Sequence, residues 1–345
     1  MKALIYSSKG KIEFVEKENP RIINDDDAII KVTLSSICTS DLHIIEGCVP
    51  RAKKGVVLGH EFCGIVVDTG KNVKKIKKGD RVALNCESFC GKCFYCKKGY
   101  VNNCSFGGWL LGCTIDGAQA EYVRVPYIDY TSYKIPDNLS FKDVLFVGDI
   151  LASGFWSAKL CEIDKNDTVA LIGAGPVGLC AAQSLRHFKT RKIILIDTNK
   201  YRLNLAKKLN LADYTLNPLE VNVEDEILKL TNNKGADKVI EAAGGKNTFE
   251  LSWKIARANA IVVICAMYEE NQILPLPYMY GKNLTFKTGG VDATDCDKLI
   301  ELISKNQLNT NFLITHEINF KDILKGYEIF KNKKDNCLKI AINYD

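Results

Sequence analysis

The chain has 345 residues, of which 46% are hydrophobic and 26% charged, a composition typical of a soluble globular protein of about two domains. No apolar run approaches the roughly 18 residues that span a membrane, and the N-terminus MKALIYSSKG has too short an apolar stretch for a signal peptide. The net charge of +6 is dispersed, and its densest lysine cluster, 71–80, predicts a solvated hairpin rather than a nucleic-acid site.

Cysteine is the unusual part of the composition. Fourteen cysteines without a secretory signal favour a reducing compartment, so we predict a cytoplasmic protein whose thiols bind metal rather than form disulfides. Most of the scattered cysteines are expected to be small buried hydrophobic residues.

The first 150 residues predict an irregular, mostly antiparallel β domain. Short alternating segments such as DAIIKVTLSSI and EFCGIVVDTG are separated by Gly-Asp and Asn turns, and helical periodicity is weak.

Two of these segments carry candidate metal ligands, Cys38 in SSICTSDLH and His60 with Glu61 in VLGHEFCG. A thiolate, an imidazole and a carboxylate would leave a fourth position open for substrate, which is the arrangement of a catalytic zinc. Spacing alone does not establish this site, because a single Cys or His in a strand is more often a core residue. Two of the four histidines lie in these segments, which supports the metal hypothesis.

A second metal site is predicted in CGKCFYCKKGYVNNC. Its four ligands would be Cys90, Cys93, Cys96 and Cys104. An iron–sulfur cluster is the competing interpretation, but its motif places the fourth Cys after three residues and follows it with Pro, so the spacing favours zinc. Four sulfur ligands close a tetrahedral shell, and this site is therefore predicted to be structural.

From about 168 to 290 the chain predicts a doubly wound parallel sheet. Six short apolar segments, from TVALIGAG to LTFKTG, alternate with helical segments, as in a Rossmann dinucleotide-binding fold.

The segment GAGPVG follows the first of these strands and opens a helix, which is the context of a dinucleotide fingerprint. Its candidate cofactor residues are Gly173, Gly175, Pro176, Val177 and Gly178. The three glycines would allow the tight turn, the approach of the pyrophosphate and close helix–strand packing, while the helix N-terminus faces the diphosphate.

Asp197 ends the second of these strands, where a carboxylate accepts hydrogen bonds from the adenosine ribose and repels a 2′-phosphate. This position favours NAD over NADP. A helix N-cap is the competing role, although Thr198 or Asn199 could supply it. Arg202, one helical turn further on, could pair with a phosphate, but it is expected to flank the adenine or face solvent.

The C-terminal region predicts a helix, a second helix and a strand that return to the first domain, because the Rossmann sheet is already complete. The predicted domains are therefore 1–152 with 290–345, and 153–289.

Taken together, these marks resemble one known family. CTSDLH, LGHEFCG, GDRV, the four-cysteine segment, GAGPVG and Asp197 make the whole chain similar to the zinc-dependent alcohol dehydrogenases of the medium-chain dehydrogenase/reductase superfamily. The resemblance implies an α/β protein with a GroES-like β-barrel catalytic domain and a Rossmann cofactor domain.

The resemblance also implies a ligand set. GDILASGFWSA aligns with the segment that donates the third zinc ligand, which implies Asp149 beside Cys38 and His60, with Glu61 as a neighbouring or exchangeable ligand. Bacterial and protozoan secondary-alcohol dehydrogenases share Asp149, but they mostly lack the four-cysteine segment and prefer NADP. The substrate therefore cannot be transferred from them.

Four further roles follow from the resemblance. Ser40 and His43 match a proton relay to solvent, and histidine suits the last step because it titrates near neutrality. By position, Trp109 and Tyr268 are candidates for the walls of a substrate pocket, and a plain core role for these two aromatic side chains is equally compatible.

The hypothesis is a zinc-dependent oxidoreductase with two zinc ions per chain. It would transfer a hydride between a small alcohol, preferably secondary, or a polyol and NAD, and form a ketone or an aldehyde. Threonine, polyol and formaldehyde dehydrogenases of the same superfamily stay open as alternatives, as does a non-catalytic NAD-binding protein. The ligand set disfavours a zinc-independent quinone or enoyl reductase. The family implies a homotetramer or homodimer that acts on a small molecule, with no nucleic acid or membrane partner.

Overall fold

The computed structural model describes residues 1–344, which divide by their internal contacts into two units. The first unit comprises Met1–Ala152 together with the chain from Asp292 onward, and the second comprises Ser153–Val291.

The N-terminal part of the first unit is built from short strands. The strands are β1 (Lys2–Ser8), β2 (Lys11–Glu16), β3 (Ala28–Ser36), β4 (Phe62–Thr69), β5 (Arg81–Leu84), β6 (Tyr122–Val125) and β7 (Ser132–Lys134). The helices are α1 (Thr39–Ile45), α2 (Phe94–Lys97), α3 (Ile128–Thr131) and α4 (Phe141–Val144), followed by α5 (Ile150–Leu160) at the boundary of the two units.

The second unit alternates strands and helices. Its elements are β8 (Thr168–Ile172), α6 (Pro176–His187), β9 (Lys192–Ile196), α7 (Lys200–Lys208), β10 (Tyr214–Leu216), α8 (Val223–Leu230), β11 (Ala236–Glu241), α9 (Thr248–Ile255), β12 (Ala256–Ile264), α10 (Leu276–Met279) and β13 (Thr285–Thr288). The strands form one parallel sheet in the order β10-β9-β8-β11-β12-β13, so the predicted doubly wound fold is confirmed. β8 at its centre is buried throughout, because helices cover both faces of such a sheet.

The chain then returns to the first unit through α11 (Cys296–Ser304), β14 (Ile314–Asn319), α12 (Ile323–Lys331) and β15 (Lys339–Asn343). The prediction of helix, helix and strand missed β14. This strand is at the edge of the sheet, and its sequence ITHEIN is mostly polar, so it lacks the apolar signal of a central strand.

These last strands complete the main sheet of the first unit, which has the order β14-β15-β3-β4-β5-β7, with β6 also paired to β3. Apart from the parallel pair β14 and β15, its strands run antiparallel, so the predicted β domain is confirmed. β3 and β4 matter most for the site, because Cys38 follows the end of β3 and His60 precedes the start of β4.

Four 3-10 turns complete the secondary structure of residues 1–344, at Val101–Asn103, Asn311–Leu313, Phe320–Asp322 and Lys334–Asn336. Within the same residues, none of the helices has the length and apolar character needed to cross a membrane.

Candidate active site

Cys38 is held at the junction of β3 and α1, where it is the N-cap residue of the helix. Its backbone N–H donates to Oδ2 of Asp41 over 3.0 Å, so a carboxylate in the first turn fixes the helix start. The local sequence thus determines where the thiol stands relative to the sheet.

Cys38, His60 and Asp149 converge on one point. Their ligand atoms all lie within 4.8 Å of one another. Oδ2 of Asp149 is 3.4 Å from Sγ of Cys38 and 3.3 Å from Nε2 of His60. Cys38 and His60 are buried and the Asp149 side chain is 14% exposed, so the group is shielded from solvent.

The donor set fits zinc. Tetrahedral zinc with bonds of about 2.0–2.3 Å separates its ligands by about 3.3–3.8 Å, which agrees with the spacing of these donors. Burial raises the pKa of the Cys38 thiol, and the neighbouring Asp149 carboxylate raises it further. A bound dication would reverse both effects, because it favours the thiolate and offsets the carboxylate charge.

Asp41 supports the group from behind. It is fully buried, and its Oδ1 lies 3.4 Å from Nδ1 of His60, on the side of the ring away from Asp149. Gln119 contacts Asp41 through Nε2 at 3.4 Å and accepts a 2.8 Å hydrogen bond from the Tyr327 hydroxyl. This chain of contacts orients the imidazole, as partners of metal-bound histidines do.

Glu61 is close to the group but is engaged elsewhere. Its carboxylate pairs with the ammonium of Lys339, and both side chains are almost completely buried. Lys339 also donates to the carbonyl of Ile37 over 2.8 Å. The predicted role of Glu61 as an exchangeable ligand therefore stays a prediction, and in this structure the residue forms a buried ion pair.

The four cysteines at 90–104 also meet. Their Sγ atoms lie within 4.8 Å of one another, with Cys90–Cys96 and Cys93–Cys104 both separated by 4.0 Å. Backbone N–H groups point at the sulfurs, such as that of Cys96 at Cys93 over 3.5 Å, and these bonds lower the pKa of Cys93 to about 6. Four sulfurs with this spacing fit a closed zinc shell with Zn–S bonds of about 2.3 Å.

Ser40 and His43 lie on α1, three residues apart and therefore on one face of the helix. Both are half-buried, and the Ser40 hydroxyl is 3.7 Å from Sγ of Cys38. Ser40 thus adjoins the ligand group, and His43 follows it one turn along the helix.

The two predicted pocket aromatics belong to different units. The Trp109 ring meets the His60 ring edge-on with centroids 5.5 Å apart, and the Arg51 guanidinium lies 5.4 Å from the Trp109 ring. Tyr268 lies in the second unit, where it packs on the core and its hydroxyl is 3.1 Å from the hydroxyl of Thr248.

The glycine loop has the geometry of a nucleotide cradle. Gly173 has a φ of +103°, and a Cβ on Gly178 would lie 1.9 Å from the Gly173 carbonyl oxygen. Gly175 is open, since a Cβ there would have its closest contact at 3.8 Å, with Nη1 of Arg202. Pro176 is the first residue of α6, and Val177 follows it, so the free N–H groups of this helix end face the loop.

Asp197 and Arg202 flank this loop. Oδ2 of Asp197 accepts from the N–H of Ala174 and Oδ1 from the N–H of Asn199, each over 2.7 Å. The cap of α7 is supplied by the Asn199 side chain, so Asp197 is not needed for it. Each carboxylate oxygen retains a lone pair for a ribose hydroxyl.

Four residues around the ligand group were not predicted from the sequence: Glu87, Gln119, Tyr327 and Lys339. None lies in a recognisable motif. The one available signal was chemical, a lysine inside the apolar strand CLKIAIN, because lysine is almost never fully buried unless it is paired.

Comparisons with known proteins agree with this architecture. Residues 24–137 match the family model described as "Alcohol dehydrogenase GroES-like domain", and residues 176–305 match "Zinc-binding dehydrogenase". The chain is 34% identical to an alcohol dehydrogenase of Cupriavidus necator over 99% of its own length and 98% of that protein. It is 28% identical to an NADP-dependent isopropanol dehydrogenase of Thermoanaerobacter brockii, over 99% of both chains.

A similar solved structure is that of "Zinc dependent alcohol dehydrogenase 2 from Streptococcus pneumonia" in its apo form. It is 35% identical, has a TM-score of 0.94, and is matched over 99% of its chain and 100% of this one.

Proposed function

The chain belongs to the zinc-dependent alcohol dehydrogenase family and is an oxidoreductase of alcohols or polyols, and from this premise we propose that it uses NAD and two zinc ions to interconvert a small secondary alcohol or polyol and its carbonyl product. The observation that carries the proposal is the convergence of Cys38, His60 and Asp149, which supplies three donors and leaves one tetrahedral position for substrate.

When bound, zinc would supply Lewis-acid polarisation of the substrate oxygen, and the nicotinamide cofactor would accept or return the hydride. The residues of this chain hold and orient those groups. Asp41 keeps the His60 ring turned toward Asp149, and Lys339 offsets the charge of Glu61. The burial of the group excludes water from the reacting atoms.

The proton of the alcohol hydroxyl must reach solvent from this buried site. We propose that Ser40 and His43 transfer it, since Ser40 adjoins the ligand group and His43 follows it one turn along the helix. His43→Gln removes the ring nitrogen that would accept the proton, so it is expected to lower kcat for alcohol oxidation and to change the pH dependence of kcat. An unaltered pH dependence of kcat would exclude His43 from the relay.

The metal assignment has a direct test, which is the zinc content measured beside NADH formation. We expect two zinc ions per chain. Cys38→Ala should lose one of them and reduce turnover by more than about 10³-fold, because the Lewis acid is lost. Cys93→Ala should lose the other zinc, at the structural site. Full turnover by Cys38→Ala protein that has lost its zinc would refute the mechanism.

The preference for NAD rests on Asp197, whose carboxylate would repel a 2′-phosphate. The relative from Thermoanaerobacter brockii is NADP-dependent, so similarity to these relatives does not by itself decide between NAD and NADP. We expect kcat/KM for NAD to exceed that for NADP at least about tenfold. Asp197→Ser should lower this NAD-to-NADP ratio of kcat/KM. A preference for NADP in the unchanged chain would overturn this assignment.

We further propose a homotetramer or homodimer, by analogy with the family, and analytical ultracentrifugation tests this. The fourteen cysteines form no disulfide within residues 1–344, which supports a cytoplasmic location. Neither a nucleic acid nor a membrane is proposed as a partner.

A further inference from the structure

Several side chains around the ligand group bury a polar atom that has no hydrogen-bond partner within residues 1–344. Two of these atoms are Oε2 of Glu87 and Nε1 of Trp109. Glu87 is only 5% exposed, so water does not readily solvate its carboxylate. Buried polar atoms without partners are costly and rare, and each such atom requires a physical explanation.

The two residues lie on backbone segments that are bridged directly beside them. Ser88 and Gly108 exchange backbone hydrogen bonds of 2.9 and 2.7 Å in an isolated antiparallel bridge, and Glu87 and Trp109 flank this bridge on the two segments. A Cβ on Gly108 would lie 3.8 Å from Oε2 of Glu87. The unpaired carboxylate oxygen therefore lies against the residue that precedes Trp109.

Both side chains lie in the electrostatic environment of Arg51 and His60. The Trp109 ring contacts His60 and Arg51, with centroid distances of 5.5 and 5.4 Å. Burial and the charge of Asp149 raise the pKa of the Glu87 carboxyl to about 8, whereas Arg51 and His60 act to lower it. Glu87 is thus within electrostatic reach of two of the three candidate zinc ligands.

The hydrogen-bonding capacity of Glu87 and Trp109 indicates which chemical group they would bind. In either protonation state the Glu87 carboxyl offers an acceptor oxygen, and Nε1 of Trp109 is a donor, so the two side chains together require a group that both donates and accepts. A hydroxyl does both. An ammonium group only donates, and it would leave the indole N–H unpaired.

We propose that Glu87 and Trp109 form a subsite for a second hydroxyl group of the substrate, so that the preferred substrate is a diol or polyol rather than a monohydric alcohol. This inference rests on the proposed function, because it concerns the alcohol bound at the Cys38–His60–Asp149 group. The reaction is unchanged: the hydroxyl at the subsite is bound and is not oxidised.

The test compares 2-propanol, 1,2-propanediol and 1-amino-2-propanol with the zinc-loaded full-length protein, following NADH at 340 nm. We expect kcat/KM for the diol to exceed that for 2-propanol at least about tenfold, the effect of about one further hydrogen bond at the subsite. Glu87→Ala should bring this ratio close to one. Trp109→Phe, which keeps an aromatic ring and removes the N–H donor, should lower this ratio without bringing it to one.

Matched controls separate the subsite from general effects. Trp253 also buries an Nε1 without a partner in residues 1–344, but it lies in the second unit, so Trp253→Phe should leave the ratio unchanged. Glu328 is an exposed residue of α12, and Glu328→Gln should likewise leave it unchanged.

Each outcome is decisive. The subsite would be overturned if the unchanged chain had equal kcat/KM for the diol and 2-propanol. It would also be overturned if Glu87→Ala lowered kcat/KM for both substrates by the same factor. Either result would leave the proposed function intact. A preference for the amino alcohol that Glu87→Ala abolishes would replace it with a cation site. If no alcohol yields NADH, the proposed function fails and the inference fails with it.

A second measurement covers the case in which Glu87→Ala does not fold. If Glu87 is kept for binding, burying its unpaired carboxyl destabilises the protein as the pH rises toward 8, so at pH 8 Glu87→Gln should raise the thermal midpoint while lowering the diol ratio. A purely structural Glu87 would show a lower midpoint and an unchanged ratio, and this result would refute the proposal.

Discussion

Lys339 lies near the C-terminus, yet it stabilises the centre of the first unit. Its side chain is 2% exposed, and its ammonium is held by the Glu61 carboxylate and the Ile37 carbonyl. The rings of Phe146 and Phe330 lie 5.5 and 5.9 Å away and exclude water. In such surroundings neither charge is tolerated without the other.

We therefore expect Lys339→Met to lower the free energy of unfolding by about 3–5 kcal/mol, because it leaves the Glu61 carboxylate buried without its counter-charge. Urea denaturation measures this change. The double variant Lys339→Met with Glu61→Gln should recover most of the loss. The matched control is Lys142, which pairs with Glu317 at the surface, where the two side chains are 44% and 46% exposed. Lys142→Met should change the free energy of unfolding by no more than about 1 kcal/mol. Equal losses for the two lysines would contradict the buried-pair account.

Glu87 makes stability depend on pH. Its pKa is raised from 4.5 to about 8 by burial and by Asp149, so in this range the native state binds a proton that the unfolded chain has released. The stability that this group contributes is complete below pH 4.5 and is lost as pH rises toward 8. In Glu87→Gln the side chain at this position does not titrate, so its contribution to stability does not change with pH.

Accordingly, the stability of Glu87→Gln relative to the unchanged chain should grow between pH 5 and pH 8, by up to a few kcal/mol. Denaturant midpoints at half-unit pH intervals measure the difference, and exposed Glu317→Gln is the control that should stay flat. A difference that shrinks as pH rises would mean that the Glu87 carboxylate is stabilised as an anion.

At the scale of elements, β8, the glycine loop and α6 form a single closely packed strand–loop–helix motif. Gly178 lets the first turn of α6 approach the end of β8, since a methyl group there would lie 1.9 Å from the Gly173 carbonyl oxygen. That oxygen belongs to the backbone and cannot rotate away. The loop N–H groups keep their position only while this contact stays open.

Gly178→Ala is therefore expected to weaken NADH binding more than tenfold in a fluorescence titration and to destabilise the chain by about 1–3 kcal/mol. Gly281→Ala is the matched control, because a Cβ at Gly281 meets no atom within 4 Å. It should leave NADH affinity unchanged. Normal affinity in Gly178→Ala would show that the helix can shift without disturbing the cradle.

Hydrophobic periodicity was sufficient to predict the strands of the second unit, but it was insufficient for the C-terminal region that returns to the first unit. β8, β9 and β11 are short apolar runs between helices, and this signal is local. β14 lies at a sheet edge and has polar side chains, so only its pairing with β15 identifies it as a strand. Edge pairing is a tertiary property and leaves little pattern in the sequence.

At the scale of the whole molecule, the two proposed ligands bind different units. Both cysteine-containing candidate metal sites lie in the first unit, and the glycine loop lies in the second. A ligand that binds only the native state stabilises the unit that holds its site, by an amount set by its concentration relative to its Kd.

Chelation of zinc should accordingly increase amide hydrogen exchange in peptides of Met1–Ala152, with the largest change at 90–104. NADH should slow exchange at 168–202, within Ser153–Val291. Hydrogen exchange with mass spectrometry resolves both effects in the full chain. If chelation increased amide hydrogen exchange equally in both units, this would contradict the expectation that zinc stabilises the first unit alone.

The sequence alone determined the features whose parts lie close together in the chain. The four-cysteine group spans 15 residues, and the glycine loop lies between one strand and one helix, so local spacing suffices to predict both. The family resemblance placed Asp149 beside Cys38, which no spacing rule could do because 111 residues separate them. Only the folded chain paired Lys339 with Glu61, 278 residues apart, and bridged Ser88 to Gly108 beside Glu87 and Trp109. Such contacts arise from strand register and from the return of the tail to the first sheet, and these depend on the whole chain.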